Sequence, residues 1–363
     1  MIGIEDFFDG IPYVHRSAPG RVNLLGEHTD YNDGYMLPVA TPQRTGVAAG
    51  ISTDSTFWLY SETLGQTVRF AAHEQAPLGF GRYVEGCIRV LEQRGIKVPP
   101  LRIYVHSDLP VGAGLSSSAA LEVATLRTLR SLLSFELDDV ALALAAQEAE
   151  IVYAKVNCGI LDQMAASLAD SEHMLFLDAR TLATRLLPLP PASELIVIDS
   201  GVPRTLAGTK YNERRAECEE AARLLNVRAL RDVTDLAEVE QLPPLLRKRA
   251  RHVVSENQRV LAACKDIDAA RFGRLMNESH ASLRDDYEVS IDELDELTEM
   301  LRKHPGVYGA RLTGAGFGGA CVALCERPLA APIAAEVTAG FNKGKRHAIS
   351  LIPPQNQEFR GKE

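Results

Sequence analysis

The sequence predicts an α+β protein built from two domains, and three observations carry that expectation. The chain has 363 residues, 46% of them hydrophobic, enough for more than one core. Short strand-like patterns and long helical patterns occur in both halves. The stretch LLPLPPASE at 186–194 is rich in proline and reads as a connection between domains. The expected domains are therefore residues 1–188 and 189–363.

The elements follow in order. Arg21 to Leu25 reads as a short alternating strand that opens at Gly26 into a loop. Thr45–Ile51, Phe57–Ser61 and Thr67–Phe70 alternate and punctuate like strands. Arg82–Arg94 has helical spacing and is closed by Gly95. Leu101–Ser107 is an apolar-polar strand followed by a glycine turn. Helices are expected over Ser118–Leu133, Leu137–Tyr153 and Gly159–Ala169. Leu195–Asp199 is a buried-type strand. Helices are then expected over Asn212–Leu225, two stretches dotted with arginine and glutamate, and Ile291–Lys303. Strands return at Gly309–Thr313, Ala320–Cys325 and Ala348–Ile352.

The balance of charge narrows the partners. Net charge is −9 and no basic run occurs, which argues against nucleic acid and anionic membrane. No apolar stretch is long enough to span a bilayer. The start MIGIEDFFDG is acidic and lacks the features of a signal peptide. Six cysteines without a small-scaffold pattern read as reduced thiols of a cytoplasmic protein. Cys321 and Cys325 sit in apolar surroundings and read as core rather than as a metal pair. Without a heptad or an apolar stripe, a monomer is expected.

The chemistry concentrates in APGRVNLLGEHTDYNDGYML at 18–37. A core strand would not bury Glu27, His28 and Asp30 within four positions. Glu27 and Asp30 accept hydrogen bonds through two oxygens each, and His28 can donate or accept. That donor and acceptor set suits a polyol. The bland alternative is an exposed turn.

A second motif, LPVGAGLSSSAALEVA at 109–124, places two glycines and three serines ahead of a helix. Glycine lets the backbone approach a ligand closely, and a helix N-terminus with free amides attracts anions. One serine would suffice as an N-cap, so the run points to phosphate. It is not a Walker loop, and the HRD and DFG motifs of protein kinases are absent. A third cluster, LTGAGFGGA at 312–320, matches G-x-G-x-x-G. A strand rather than a helix follows it, which is the wrong context for a dinucleotide site. It reads as a backbone loop closing over a ligand, with a plain hairpin turn as the alternative.

Asp162 falls early in an otherwise apolar helix. Phosphoryl transfer to a hydroxyl needs a carboxylate near the nucleophile and a cation on the transferred group. Asp162 and Arg21 are the candidates for that pair, with helix capping as the alternative for Asp162. Glu150, near a helix end, could reach a metal or simply face water.

Together the three motifs resemble those of the GHMP kinase superfamily, and the first resembles the signature of its galactokinase family. The similarity extends to CGILDQ at 158–163 and SGVPRTLAGTKYNERRAECEE at 200–220. It implies a two-domain fold with the active site in the cleft between N- and C-terminal domains. It implies ATP-dependent phosphorylation of galactose at its C1 hydroxyl, with ATP and Mg²⁺ required. By the same resemblance, Glu27, His28, Asp30, Gly159 and Tyr211 would hold the sugar. Arg21 and Asp162 would be catalytic. Gly112, Ala113, Gly114, Leu115, Ser116, Ser117 and Ser118 would wrap the ATP phosphates. Ser118 and Glu150 would coordinate Mg²⁺. Residues 79–87, GFGRYVEGC, lack the tryptophan the resemblance would place near adenine. Other substrates remain open at this point: N-acetylgalactosamine, arabinose, or galactose and ATP bound by a non-catalytic sensor. The intact Ser116–Ala120 run favours an enzyme.

Overall fold

The computed structural model describes residues 2–110, 112–203, 207–265, 268–344 and 346–353. The amino-terminal half contains helix α1 (Ile4–Phe8), strands β1 (Val14–Asn23), β2 (Tyr35–Met36), β3 (Pro38–Ile51), β4 (Thr56–Ser61) and β5 (Gln66–Ala71), and helix α2 (Phe80–Gln93). Strand β6 (Leu101–Ser107) and helices α3 (Ser117–Leu133), α4 (Asp139–Ala149) and α5 (Leu161–Leu168) follow. Next come β7 (His173–Asp178), β8 (Thr184–Pro188), β9 (Ser193–Asp199), and helices α6 (Ala207–Leu224), α7 (Leu236–Val239), α8 (Pro244–Ala263), α9 (Ala269–Asp285) and α10 (Asp292–Lys303). The chain closes with β10 (Val307–Leu312), β11 (Ala320–Glu326), α11 (Ala330–Phe341) and β12 (Ile349–Ile352).

By its internal contacts the chain divides into two compact units. Unit 1 comprises Met1–Arg21, Ala40–Val111 and Leu115–Ala169; unit 2 comprises Val22–Val39, Gly112–Gly114 and Asp170–Glu363. Residues 170–188 thus group by contacts with unit 2. The reason is local. Thr184–Pro188 pairs antiparallel with β7, Thr184 opposite Leu177 and Pro188 opposite His173, so the first part of the proline-rich stretch is strand and not connection. Residues 204–206 of the quoted 200–220 stretch lie outside the described residues.

Unit 1 is a five-stranded sheet in the order β1-β3-β6-β4-β5. Period-two alternation along β3 sends Val47 and Ala49 to one face and Ala48 to the other. On the first face they pack with Leu59 and Ile103 against Val84, Cys87, Ile88 and Leu91 of α2 and with α3 and α4. Each such aliphatic side chain contributes about 1.5–3 kcal/mol of burial. The second face holds Phe7 and Phe8 of α1 with Tyr60 and Tyr104, and Trp58 packs on them.

Unit 2 has a four-stranded antiparallel sheet, β10-β11-β9-β12, and a small sheet, β2-β7-β8. Near-continuous apolar runs, Leu195–Ile198 and Ala320–Cys325, are buried in its core with helices α8, α10 and α11. Cys321 and Cys325 are fully buried members of that core.

Candidate active site

Unit 1 carries the acid and its cation. Strand β1 ends this part of its path at Arg21, and the Arg21 amide donates to the Leu115 carbonyl at 3.1 Å. Gly20 is required there. A Cβ on it would stand 2.4 Å from the Leu109 side chain and 2.7 Å from the Leu115 carbonyl oxygen. This close approach holds the strand against the loop that opens α3.

Asp162 is the second residue of α5, and the expectation that it merely caps that helix is answered by its partners. Oδ1 accepts from Arg21 Nε at 2.7 Å and from Nη2 at 2.6 Å. Oδ2 accepts from the Ser116 hydroxyl at 2.5 Å. Ser116 stands at the N-cap position of α3 with φ 61° and ψ 51°, and its side chain makes no capping bond. A serine held in the left-handed region costs roughly 1–2 kcal/mol. The hydroxyl is thereby turned to the carboxylate instead of the helix amides. Gly112 and Gly114 adopt φ of 85° and 86°, which a side chain would resist.

Behind this pair lies a second acidic group. Glu150 is buried where α4 ends, and its carboxyl accepts from Ser118. Gln163 donates to Glu150 at 2.5 Å and to Glu122 at 3.4 Å. Burial, with the charge of Asp162 adding to it, pushes the Glu150 carboxyl up to about 7. Burial likewise raises Glu122 well above the carboxylate range, with Glu150 as second cause. Two oxygen donors, Ser118 and Glu150, are thus held together in a place that disfavours uncompensated negative charge. That chemistry suits a hard divalent cation. Gly159 is buried two residues before α5.

Unit 2 carries the polyol set. Glu27 and His28 are nearly fully buried, and Asp30 opens a short 3-10 turn over Asp30–Asn32. Arg311, fully buried in β10, donates to Glu27 Oε2 at 2.8 Å, to the Leu24 carbonyl at 3.0 Å and to the Leu312 carbonyl at 2.9 Å. Glu256 of α8 stands 3.7 Å from the same guanidinium. It accepts from the Gly26 amide at 2.9 Å, Ser279 at 2.7 Å and Arg259 at 2.6 Å. Burial opposes ionisation of Glu256, but Arg259 and Arg311 outweigh it and hold the carboxyl far below its usual range.

His28 adopts φ 60°. Its Nε2 faces the Ala315 carbonyl at 3.2 Å and its Nδ1 the Tyr31 hydroxyl at 2.8 Å. A carbonyl only accepts, so Nε2 carries the proton and Nδ1 accepts from Tyr31. Tyr31 then accepts from Tyr287 at 2.7 Å, and Tyr287 from the Cys218 thiol at 3.1 Å. Burial, then the nearby His252, lowers His28 to about 3, so the ring is neutral. Tyr211 packs its ring 5.6 Å from that of His28 and 5.2 Å from that of Tyr31.

Comparison with known proteins agrees with this geometry. A galactokinase galactose-binding signature matches residues 5–51, and models of the GHMP kinase N-terminal and C-terminal domains match 82–170 and 260–343. The chain is 47% identical over 329 residues to a galactokinase of Roseiflexus, covering 87% of this chain and 84% of that one. It is 42% identical to a galactokinase of Thermotoga maritima, covering 92% and 95%. It superposes on Lactococcus lactis galactokinase complexed with galactose with TM-score 0.89 at 33% identity, covering 95% of each chain.

The chain belongs to the galactokinase family.

Methanococcus jannaschii mevalonate kinase, at 17% identity and TM-score 0.69 over 93% of this chain and 98% of that one, shares the fold. In this galactokinase-family chain, unit 1 brings together Arg21, Asp162, Ser116, Ser118 and Glu150. Unit 2 brings together Glu27, His28 and Tyr211. The sequence reading missed Arg311, Glu256, Tyr287, Glu122 and Gln163. Arg311 had a signal: an arginine inside the strand pattern Gly309–Thr313 has to be paired if it is buried. Trp58 lies on the α1 face of the sheet, with Arg69 and Arg102 over its ring at 4.0 and 4.6 Å. Among the described residues, no helix is long and apolar enough to cross a membrane.

Proposed function

We propose that the chain transfers the terminal phosphoryl group of ATP to the C1 hydroxyl of α-D-galactose, giving galactose 1-phosphate and ADP. The observation that carries this reading is the Asp162 carboxylate held by Arg21 on one oxygen and Ser116 on the other. Oδ2, which accepts only from Ser116, keeps a lone pair for the sugar hydroxyl. Asp162 accepts the hydroxyl proton as general base, and Arg21 stabilises the charge that develops on the oxygen. An anomeric hydroxyl is more acidic than an ordinary alcohol, which eases that step.

The amides at the start of α3 and the loop Gly112–Ser118 hold the phosphates. Ser118 and Glu150 would hold Mg²⁺, which when bound would neutralise phosphate charge. Glu27 and Asp30 accept from sugar hydroxyls, with Gly159 and Tyr211 shaping the pocket. His28 joins them by exchanging one of its two protein bonds for a sugar hydroxyl. All six cysteines are free, which supports a cytoplasmic enzyme. We assign it as a monomer, which sedimentation would test.

The direct test is phosphorus NMR of the chain with galactose, ATP and Mg²⁺. Galactose 1-phosphate and ADP should appear in equal amounts. Faster turnover of N-acetylgalactosamine or arabinose would overturn the substrate, and ATP hydrolysis without a sugar phosphate would overturn the reaction.

A further inference from the structure

Away from the candidate active site, unit 1 has an open polar cavity of about 440 Å³, lined by His15, Arg16, Ser17, Arg127, Arg130 and Asp139. Its volume falls in the range of small-ligand pockets. Its charge is unusual for a chain of net charge −9. Arg44 adds a fourth guanidinium at its edge, donating to Ser17 Oγ at 2.9 Å. Among the described residues, Asp139 is the one carboxylate in ion-pair reach of these four arginines, at 3.0 Å from Arg130. The Ser17 carbonyl receives both Arg127 at 2.9 Å and Arg44 at 3.4 Å, and a neutral carbonyl cannot offset two cations. Burial presses the Arg127 guanidinium below its ordinary range; Asp139 opposes the shift, and the charges of Arg44 and Arg130 add to it.

The place of this cavity in the fold gives it consequence. Arg127 lies on α3 and donates to Ser17 on β1 and to Ser167 at the end of α5, at 2.9 and 2.8 Å. These are the three elements whose other ends carry Ser116–Ser118, Arg21 and Asp162. The helical rise puts Arg127 about 15 Å along α3 from the phosphate loop.

We propose that this cavity is a second anion site, which binds a phosphate dianion on a small molecule or as free phosphate, at the foot of the three catalytic elements. The anion supplies the negative charge that Asp139 alone does not, and forked arginines suit phosphate oxygens. Because Arg127 joins the three elements, occupancy is felt at their catalytic ends.

The test is calorimetric titration of the full chain, at constant ionic strength, with two probes: inorganic phosphate and glucose 6-phosphate. Galactose and a non-hydrolysable ATP analogue occupy the catalytic site throughout. One saturable site is expected, and Arg16→Glu should weaken it by at least about tenfold. Arg16 is exposed and bonds only the His15 carbonyl among its recorded partners, so this variant should keep its fold and its phosphate-free turnover. Tighter binding of glucose 6-phosphate identifies a phosphosugar as the ligand; equal or tighter binding of phosphate identifies the free ion. Absence of saturable binding, or equal affinity in Arg16→Glu, overturns the site. A parallel turnover assay with galactose and ATP reads the coupling: an initial rate unchanged when the anion is added at saturating concentration overturns it.

Discussion

Arg21 and Asp162, 141 residues apart in sequence, meet through two nitrogens on one carboxylate oxygen at 2.7 and 2.6 Å. The pair fixes the carboxylate without covering it, for the Asp162 side chain keeps 32% of its surface. Asp162→Asn preserves shape but removes the proposed base. It should lower kcat by on the order of a thousandfold, within the usual range for a lost acid-base group. Galactose affinity, read by calorimetry, should change little. Turnover near the parent rate would remove Asp162 from the chemistry.

Ser116 separates two effects. Ser116→Ala and Ser116→Gly both lose the hydroxyl on Asp162, and both should lower kcat by roughly ten- to a hundredfold for one lost positioning bond. Glycine accepts the left-handed φ of 61° at no steric cost. The glycine variant should therefore be about 1 kcal/mol more stable than the alanine variant. Denaturant midpoints of the two variants check this, and reversed midpoints would contradict the strain.

Arg311 is the counter-charge of a buried acid pair. Arg311→Met takes the guanidinium away from the buried Glu27 and leaves Glu256 with Arg259 as its remaining arginine. The cost should be about 3–5 kcal/mol in unfolding experiments. The milder Arg311→Lys keeps a charge but loses the fork. It should raise KM for the sugar, through Glu27, more than it lowers kcat. An unchanged KM with a reduced kcat would deny the positioning role.

His252 gives a pH signature. Its ring is fully buried, facing Ser282 at 2.9 Å and the Glu27 carbonyl at 3.1 Å. Burial lowers it from 6.5 to about 4. The unfolded chain therefore takes up this proton at higher pH than the folded one, and stability falls as pH drops from about 6.5 towards 4. The window is worth about 3 kcal/mol. His252→Gln lacks the proton, so its stability deficit at pH 7 should shrink by about that amount near pH 4. A deficit constant over that range would show that His252 does not titrate on unfolding.

Much of this molecule was legible because its local patterns are strong. Leu101–Ser107 and the helices opening at Ser117 and Leu161 were placed within a residue or two by periodicity and glycine punctuation. One strand was misread for a physical reason. Strand β8 ends on Pro188 and lies at a sheet edge, where proline forfeits no interior ladder bond, so its presence signalled a connection wrongly. Within the site, Arg21 and Asp162 announced themselves as isolated charges in apolar segments. Arg311 and Glu256 did not. Their meaning depends on Glu27, reached only through tertiary packing, and an i, i+3 pair such as Glu256–Arg259 looks like an ordinary solvated helix face.

Trp58, the one tryptophan of the sequence, packs 4.9 Å from Phe7 beneath two guanidinium groups. Its emission is therefore a built-in gauge of whether α1 is seated on the sheet. Light emitted by that indole follows the unravelling of unit 1. A melting curve for this half of the chain therefore needs no label at all.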